Sequence, residues 1–486
     1  MRKHQFMNAV FILLGMAIGG SLYAESIRLT PDEAVERALK NNLSLESARA
    51  SSGTKKRASD LSWNQFIPSV TAGGSLILDN EKTTSKGVTA VAPTGMLSNP
   101  LVAGMIPPGV TLPPGADIYL SVPYSVELSQ WHVAGSIQAS LTISIAMFEN
   151  MKRLRLDYEG GLIGYEKAKS QLERDVRKAY NSMLLLQENI NLLKENFEAA
   201  GRRVNMAQAN YNAGLAPELS FLQAQVAVEN MKPMIDQAEN GFRLSLAQFA
   251  MFLGLPYDTP FELIPVENEA AFIPLDVQEL ISKAASGKPD IMELRQDILS
   301  LGSIRKSTAY RLYTPTLSLS WNADPSFSKD PWKNPWFEDM DNWKQQSGGF
   351  RISLGFRLNG LLPIGSERQS LKNLDDQIVG ANIGLAQMIR GTEIEIYNTV
   401  LALERTQISK ETLAQTVNMA ERSYQLTEQA YRAGLQDLFQ VQNAELSLRQ
   451  ARVQVLEQQF NYLNGLLDLE YAIGVPFGTL TSKESK

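Results

Sequence analysis

Apolar and polar residues alternate along four separate segments of the chain. In the clearest one, Ile137, Leu141 and Ile145 belong to an apolar series at every second position, with Ser, Gln and Thr between them. A period of two is typical of a β-strand whose two faces meet different surroundings. Strands of soluble sandwiches alternate in the same way, so this pattern alone fits either a membrane sheet or a soluble one. The four predicted strands lie near residues 69–79, 134–147, 314–321 and 349–359.

A different pattern, apolar residues in steps of three and four, runs through two longer stretches. The series is unbroken from Val176 to Tyr211, which is the heptad pattern of a helix packed against other helices. Each stretch is followed by a turn and a shorter return stretch, so we predict two helical hairpins, at residues 149–254 and 366–474. Pro233 lies inside the first return helix, where we expect a kink or a break.

The two halves of the chain share one plan. The segment Tyr211–Leu215 recurs 220 residues later as Tyr431–Leu435, and residues 29–45 resemble residues 275–291 at an offset of 246. Each half therefore predicts a helix, two strands, a long helix, a tight turn and a return helix. The first repeat is assigned to residues 25–256, and the second repeat with a C-terminal tail to residues 257–486.

The helix that opens the first repeat has a clear start signal. Thr30 is a suitable N-cap, Pro31 suits the first turn, and Glu33 completes a capping box. We predict that this helix runs on towards Phe66, and that Pro68 prevents it from continuing.

The N-terminus has the pattern of a secretory signal. Arg2 and Lys3 precede an apolar stretch and a short segment of mostly small residues. We expect residues 1–24 to be removed, so that the mature chain begins near Glu25. Leu22 is larger than the residue usually found three positions before the cleavage site, so an uncleaved anchor is the alternative.

Composition narrows the classes of partner and chemistry. The formal charge is -6 and no long run of Lys and Arg occurs, so nucleic acid is not an expected partner. The chain has no cysteine, which excludes disulfides, thiolate metal sites and an N-terminal lipoprotein anchor. After the signal, no stretch reaches about 18 uninterrupted apolar residues, so any membrane passage of the mature chain would use strands.

An enzyme is the first alternative class. The sequence holds 2 histidines, His4 and His132, and His4 lies in the predicted signal. A His-based triad or zinc site would therefore rest on His132 alone, and there is no glycine-rich phosphate loop. We expect no catalytic residue, no metal site and no cofactor, and energy supplied by another protein.

A periplasmic coiled-coil scaffold is the second alternative, because heptads also occur in closed helical bundles. Such a scaffold would not need four alternating strands. It would also not need the two long segments between strands, residues 91–122, rich in Pro and Gly, and residues 324–343, rich in aromatic residues. Both segments suit loops at a membrane surface.

Four amphipathic strands are too few to cross a bilayer alone. A spanning sheet must close on itself, and the smallest single-chain barrels use about eight strands. Several chains must then share one barrel, and three copies would supply about twelve strands. The sequence therefore predicts a homotrimer with a shared β-barrel and six similar helical hairpins around its axis.

Several short motifs accompany this plan in order along the chain. They are Ala38-Leu39, Asn41-Asn42, Lys288-Pro289-Asp290, the Tyr-x-x-Gly sequence closing each long helix, and Leu362-Pro363-Ile364-Gly365 after the fourth strand; Ala146-Met147-Phe148 takes that last place in the first half without the proline. Together they resemble the TolC-type outer-membrane efflux protein family. The resemblance covers essentially the whole mature chain. It implies a twelve-stranded β-barrel in the outer membrane, continued by an α-helical barrel through the periplasm, which acts as an exit duct.

The resemblance also implies partners. In the family, the two Tyr-x-x-Gly turns form the periplasmic mouth, where an adapter protein of the membrane-fusion type docks and links the duct to an inner-membrane pump. The matching positions here are Gly214, Leu215, Gly434 and Leu435. Small-molecule efflux and type I protein secretion are both open, because the sequence does not specify the cargo.

One departure affects the closing of the mouth. The family pattern has aspartates six and nine residues after the second turn glycine, which form an acidic constriction, and this chain has Gln440 and Asn443 there. Asp437 is the nearest carboxylate. We predict closure by amides, with an ordinary solvated helix face as the alternative. Arg351 and Arg357, on the polar side of the fourth predicted strand, are candidate lumen residues.

Overall fold

A computed structural model describes residues 27–78, 80, 83–92, 100, 118–127, 131–265, 274–327, 348–358, 362 and 364–480. The predicted signal, residues 1–24, lies outside them. The chain forms two compact units. One consists of Met1–Asp60, Lys152–Ile304 and Asn373–Lys486, and the other of Leu61–Met151 and Arg305–Lys372. Each unit draws on both halves of the sequence.

The helices of the described chain repeat with the spacing seen in the sequence. They are α1 (Pro31–Asn41), α2 (Leu43–Asp60), α3 (Ile145–Asn212), α4 (Glu218–Phe252), α5 (Val277–Gly287), α6 (Pro289–Tyr313), α7 (Ser366–Arg432) and α8 (Leu438–Ile473). Thus α3 and α7 end, and α4 and α8 begin, 220 residues apart. None of the described helices has both the length and the apolar character required to span a membrane.

The opening helix is shorter than predicted. Its capping box is present, with the Thr30 side chain accepting from the Glu33 amide and the Glu33 carboxylate accepting from the Thr30 amide. The helix ends at Asn41, because Asn42 is extended (φ -68°, ψ 122°). The Asn42 side chain accepts from the amides that start α2 and donates to the carbonyl of Phe252 at 2.9 Å. A continuous helix to Phe66 is therefore wrong, since residues 62–66 form only a 3₁₀ turn.

Two further boundaries differ from the sequence pattern. The second strand occupies Trp131–Ile143 and α3 already begins at Ile145, whereas the alternation suggested a strand over 134–147. Residues 145–148 are all apolar, so they fit a helix as well as a strand, and packing decides. Pro233 does not break α4, which is one helix from Glu218 to Phe252. The proline is exposed, where water can satisfy the carbonyl that loses its helical partner.

The helical unit contains two cores built from equivalent positions. Val176 and Phe249 are buried in the first core, and Ile396 and Leu469, 220 residues further on, in the second. The first core joins α1, α3 and α4, and the second joins α5, α7 and α8. The internal repeat is therefore a repeat of packing as well as of sequence.

Tyr180 is the main chemical difference between the two cores, because Val400 takes the equivalent place. The Tyr180 hydroxyl lies 2.7 Å from the Leu29 carbonyl oxygen and 2.8 Å from that of Ile264, and it accepts from the Ile264 amide at 2.9 Å. These groups flank a short parallel pair of strands, β1 (Ile27–Leu29) and β6 (Phe261–Leu263). Burial of Tyr180 raises its pKa to about 12.

The second unit contains an antiparallel sheet. Its strands are β2 (Ser69–Leu78), β5 (Trp131–Ile143), β7 (Thr316–Ala323) and β9 (Gly348–Gly355), in that spatial order, with the short β8 (Ser326–Phe327) also paired to β5. Strand register places equivalent chemistry on each face, since directly opposed residues share a face. Leu141 lies opposite Leu319, which lies opposite Ile352. One residue along, Ser140, Ser320 and Arg351 are opposed in the same way. The sheet thus has one apolar and one polar face.

A second ribbon occupies part of a segment that we predicted as a loop. The strands β3 (Thr83–Ala92) and β4 (Ile118–Glu127) pair antiparallel, so the ends of residues 91–122 are strand rather than loop. The Pro and Gly residues of the segment hid this pairing, because they punctuate its centre. Most of that centre, and the aromatic-rich residues 328–347, lie outside the described part of the chain.

Candidate functional site

Both long helices end in the same turn. After α3, the backbone amide of Leu215 donates to the carbonyl five residues earlier at 2.8 Å, and that of Gly214 to the carbonyl three residues earlier at 2.9 Å. The turn after α7 has the same two bonds at Leu435 and Gly434, at 2.8 and 3.0 Å. This is the Schellman motif. It requires a positive φ at the glycine, which is 70° at Gly214 and 73° at Gly434 and which residues with a Cβ resist.

The leucine after each glycine is displayed to solvent. In many Schellman motifs the residue at this position packs back on its own helix. Here Leu215 and Leu435 are each 79% exposed. The two turns therefore present matching apolar side chains.

A small core lies behind the two turns. Ala207, Ala224 and Leu438 are buried there, from α3, α4 and α8. Tyr431 of α7 packs against them, and Phe221 of α4 adds an aromatic ring. All four hairpin helices therefore meet in this cluster, which supports the turns.

The three residues proposed for the constriction lie at the start of α8. Asp437 is the N-cap of the helix, and its Oδ1 accepts from the Gln440 amide at 2.9 Å. The side chains of Gln440 and Asn443 are exposed in the single chain. The structure thus gives Asp437 a helix-capping role and leaves the two amide side chains available to solvent or to another chain.

A buried ion pair close to the turns was not foreseen from the sequence. Arg203 of α3 is only 4% exposed and pairs with Glu445 of α8. The same guanidinium donates to the hydroxyl of Tyr424, on α7, at 3.2 Å. One arginine therefore joins three helices from both hairpins. Burial raises the pKa of the Glu445 carboxyl, and the positive charge of Arg203 opposes that shift.

A comparison of the two repeats contained the signal for this pair. At an offset of 220, Arg203 corresponds to Ser423 and Glu445 to Gln225. Ser423 and Gln225 are both exposed. A charged pair that replaces small or neutral residues in only one half marks a position where the halves differ in use.

The two proposed lumen arginines occupy different settings. Arg351 is on β9, on the polar face of the sheet beside Ser320. Arg357 follows the strand, which ends at Gly355 rather than at 359, so the strand alternation does not assign it to a face. Both side chains are exposed.

The chain has relatives of known class. Residues 117–254 match the family model for the outer membrane efflux protein. Nodulation protein T of Rhizobium leguminosarum bv. trifolii is 19% identical over 351 residues, 70% of this chain and 71% of that protein. Outer membrane protein TolC of Escherichia coli (strain K12) is 21% identical over 353 residues, 70% of each. The solved structure of CusC, described with its transmembrane channel formation, superposes with a TM-score of 0.67 at 14% identity, covering 94% of this chain and 96% of that one.

The duplicated hairpins, the two-faced sheet and these relatives define an outer-membrane channel protein. The chain belongs to the TolC-type outer-membrane efflux protein family. The family resemblance, the fold class and the outer-membrane location expected from the sequence are thereby confirmed.

Proposed function

We propose that this chain forms one third of a passive exit duct, which carries cargo through the outer membrane for an inner-membrane pump. The observation that carries the proposal is the four-stranded sheet with one apolar and one polar face. An apolar face suits lipid, and a polar face suits a water-filled lumen. The relatives are channel proteins, which supports a conduit rather than an enzyme.

The sheet itself favours assembly with identical chains. Its outer strands, β2 and β9, run in opposite directions, because neighbours in the order β2, β5, β7, β9 are all antiparallel. The β9 edge of one copy can therefore pair with the β2 edge of the next and continue the antiparallel order. Closure satisfies the edge groups that hydrocarbon would leave unpaired, and three copies reach about twelve strands.

The helical unit offers a matching surface for a second copy. Two helices, α4 and α7, each carry exposed apolar residues at helical spacing. They are Leu219, Leu222, Val226, Leu244 and Met251 on α4, and Val379, Ile383, Ile394, Tyr397, Leu401, Ile408, Met419 and Leu426 on α7. Long apolar stripes of this kind are normally covered by a partner. In the repeat, α3 corresponds to α7 and α8 to α4, so the contact between α3 and α8 in one chain has a counterpart between α7 and the α4 of a neighbour.

The two turns are the proposed docking site for a periplasmic adapter of the membrane-fusion type. Gly214 and Gly434 set the turn, and Leu215 and Leu435 supply exposed apolar contacts beside each other in the repeat. Exposed apolar side chains on a small rigid turn are suitable anchors for a partner.

Gln440 and Asn443 are proposed to line a polar constriction near this mouth. Both are exposed in the single chain and lie within the first two turns of α8. An alanine at either position that leaves the ion conductance of the assembled protein unchanged would remove that residue from the lining. Arg351 is proposed to face the lumen, since it shares the polar face of the sheet.

The trimer is the most direct test. We expect the purified mature protein in detergent to have three times the mass of one chain after correction for bound detergent, measured by light scattering. We also expect it to conduct ions in a planar bilayer. A stable monomer that inserts into bilayers and conducts would contradict the shared barrel. Whether the cargo is a small molecule or a secreted polypeptide is decided by crosslinking the adapter and identifying the attached pump.

A further inference from the structure

The buried pair between Arg203 and Glu445 joins the two hairpins of one chain. Arg203 belongs to the first hairpin, and Glu445 and Tyr424 to the two helices of the second. The side chains of the pair are only 5% and 14% exposed. Removing one member would leave an uncompensated charge, which typically costs about 3–5 kcal/mol for a buried pair. Sliding or separating the two hairpins within a chain has a comparable barrier, because both charges would lose their partners.

The corresponding seam between chains lacks this pair. By the 220-residue repeat, Ser423 takes the place of Arg203 and Gln225 the place of Glu445. Ser423 lies on α7 and Gln225 on α4, the two helices that carry the exposed apolar stripes, and both residues are exposed in the single chain. The seam between copies therefore depends on apolar contacts, which are non-directional and tolerate sliding better than a hydrogen-bonded ion pair.

From this asymmetry we infer that the Arg203–Glu445 pair makes the two hairpins of each chain a single mechanical unit, so that the helical hairpins move apart between chains and not within a chain. The inference rests on the proposed trimeric duct. The moving parts of the ring are then three two-hairpin bodies rather than six separate hairpins.

The sharpest test places a copy of the pair between chains. Gln225→Glu combined with Ser423→Arg puts the two charges at the positions that correspond to Glu445 and Arg203, in a background where the native pair is intact. We expect the double variant to spend at least several-fold less time in the widest conductance state in planar bilayers, and to resist heat dissociation of the trimer better than the wild type. The reversed pair, Gln225→Arg with Ser423→Glu, is the matched control for charge attraction and should behave in the same way. Either single change should not.

A second variant weakens the seam within the chain. Arg203→Gln combined with Glu445→Gln keeps similar side-chain size and removes both charges. We expect this variant to reach wider conductance states more often than the wild type, and a double variant that assembles and gates as the wild type does would overturn the inference. If it fails to assemble, the added pairs decide the question alone. Added pairs that leave both conductance and heat resistance unchanged, or that prevent assembly in both orientations, would overturn the assignment of the moving seam. A wild-type chain that is monomeric would instead contradict the proposed function.

Discussion

Gly214 and Gly254 have the same left-handed backbone and very different surroundings. Their φ values are 70° and 66°. A Cβ added at Gly214 would meet no atom within 4 Å, whereas one added at Gly254 would overlap the backbone carbonyl of Asn41. The first glycine is required by its turn alone. The second is required by its turn and by the close approach of α1.

This difference predicts unequal effects of one substitution. Gly214→Ala should reduce the free energy of unfolding by roughly 1–2 kcal/mol, the cost of a left-handed residue with a side chain. Gly254→Ala should reduce it by more, because the helix contact must also shift. The two variants can be compared by heat dissociation and by denaturant unfolding in detergent. Equal losses would show that α1 yields at no cost.

Tyr180 gives a prediction about pH. Its pKa is raised to about 12 by burial, so the folded protein favours the protonated phenol relative to the unfolded chain. The stabilisation is therefore complete below about pH 10, the ordinary tyrosine pKa, and is lost as the pH rises through the folded-state value. Tyr180→Phe should cost about 1–3 kcal/mol at pH 8, because the Ile264 amide and the Leu29 carbonyl each lose a partner. The difference between the two proteins should shrink between pH 10 and pH 12 in unfolding measurements. A difference that stays constant across this range would argue against the hydroxyl as its source.

The sequence is informative about residues whose role is local. The turn glycines could be predicted, because a positive φ leaves a residue-type signature within five positions. The Arg203–Glu445 pair could not, because its members are 242 positions apart and meet only through the packing of α3 against α8. Only the comparison of equivalent positions in the two halves would have pointed to it.

At the level of elements, the type of each strand and long helix was predictable and several boundaries were not. The apolar residues 145–148 fit both periods, so the sequence extended the strand β5 into the first turn of α3. The opening helix shows the opposite error. Helical spacing continues past Asn42, but its side chain caps α2 and bonds to Phe252, which ends α1 there. These decisions depend on contacts from distant parts of the chain.

The two faces of the sheet predict different tolerance to charge. Leu141 lies on the apolar face beside Leu319, and Ser140 on the polar face beside Ser320. Leu141→Arg should cost about 2–4 kcal/mol near the bilayer midplane, whereas Ser140→Arg should be milder because its side chain can remain in water. The amount of heat-resistant trimer in isolated outer membranes measures both. Comparable losses would reverse the assignment of the faces.

At the level of the whole molecule, the internal repeat was the strongest signal in the sequence. It predicted two equivalent hairpins, and the structure places Val176 and Ile396 at matching positions in two separate cores. The number of strands per chain then required an assembly, since four strands do not close alone. What lay beyond the sequence was the difference between the seams, which arises where the halves depart from each other.

The proposed docking turns can be tested without disturbing the fold. Leu215→Asp combined with Leu435→Asp places charge on two residues that are each 79% exposed, so trimer assembly and heat resistance should stay close to the wild type. Crosslinking to the adapter and export should fail together, because the charges would be buried in an apolar contact. Ser220→Asp with Gln440→Asp, on neighbouring first-turn positions of α4 and α8, is a control for added charge. Normal crosslinking and export by the leucine double variant would place the docking surface elsewhere on the hairpins.

The outer strands β2 and β9 have a consequence for how the protein reaches its final state. Until neighbouring copies arrive, each chain carries two rows of backbone groups that can pair with any extended segment, including those of unrelated chains. The helical hairpins depend largely on contacts near in sequence and can form early, whereas closing the shared sheet requires three chains at once. Biogenesis is therefore a race between correct closure and aggregation. Its outcome depends on chain concentration and on whatever shields those edges in transit.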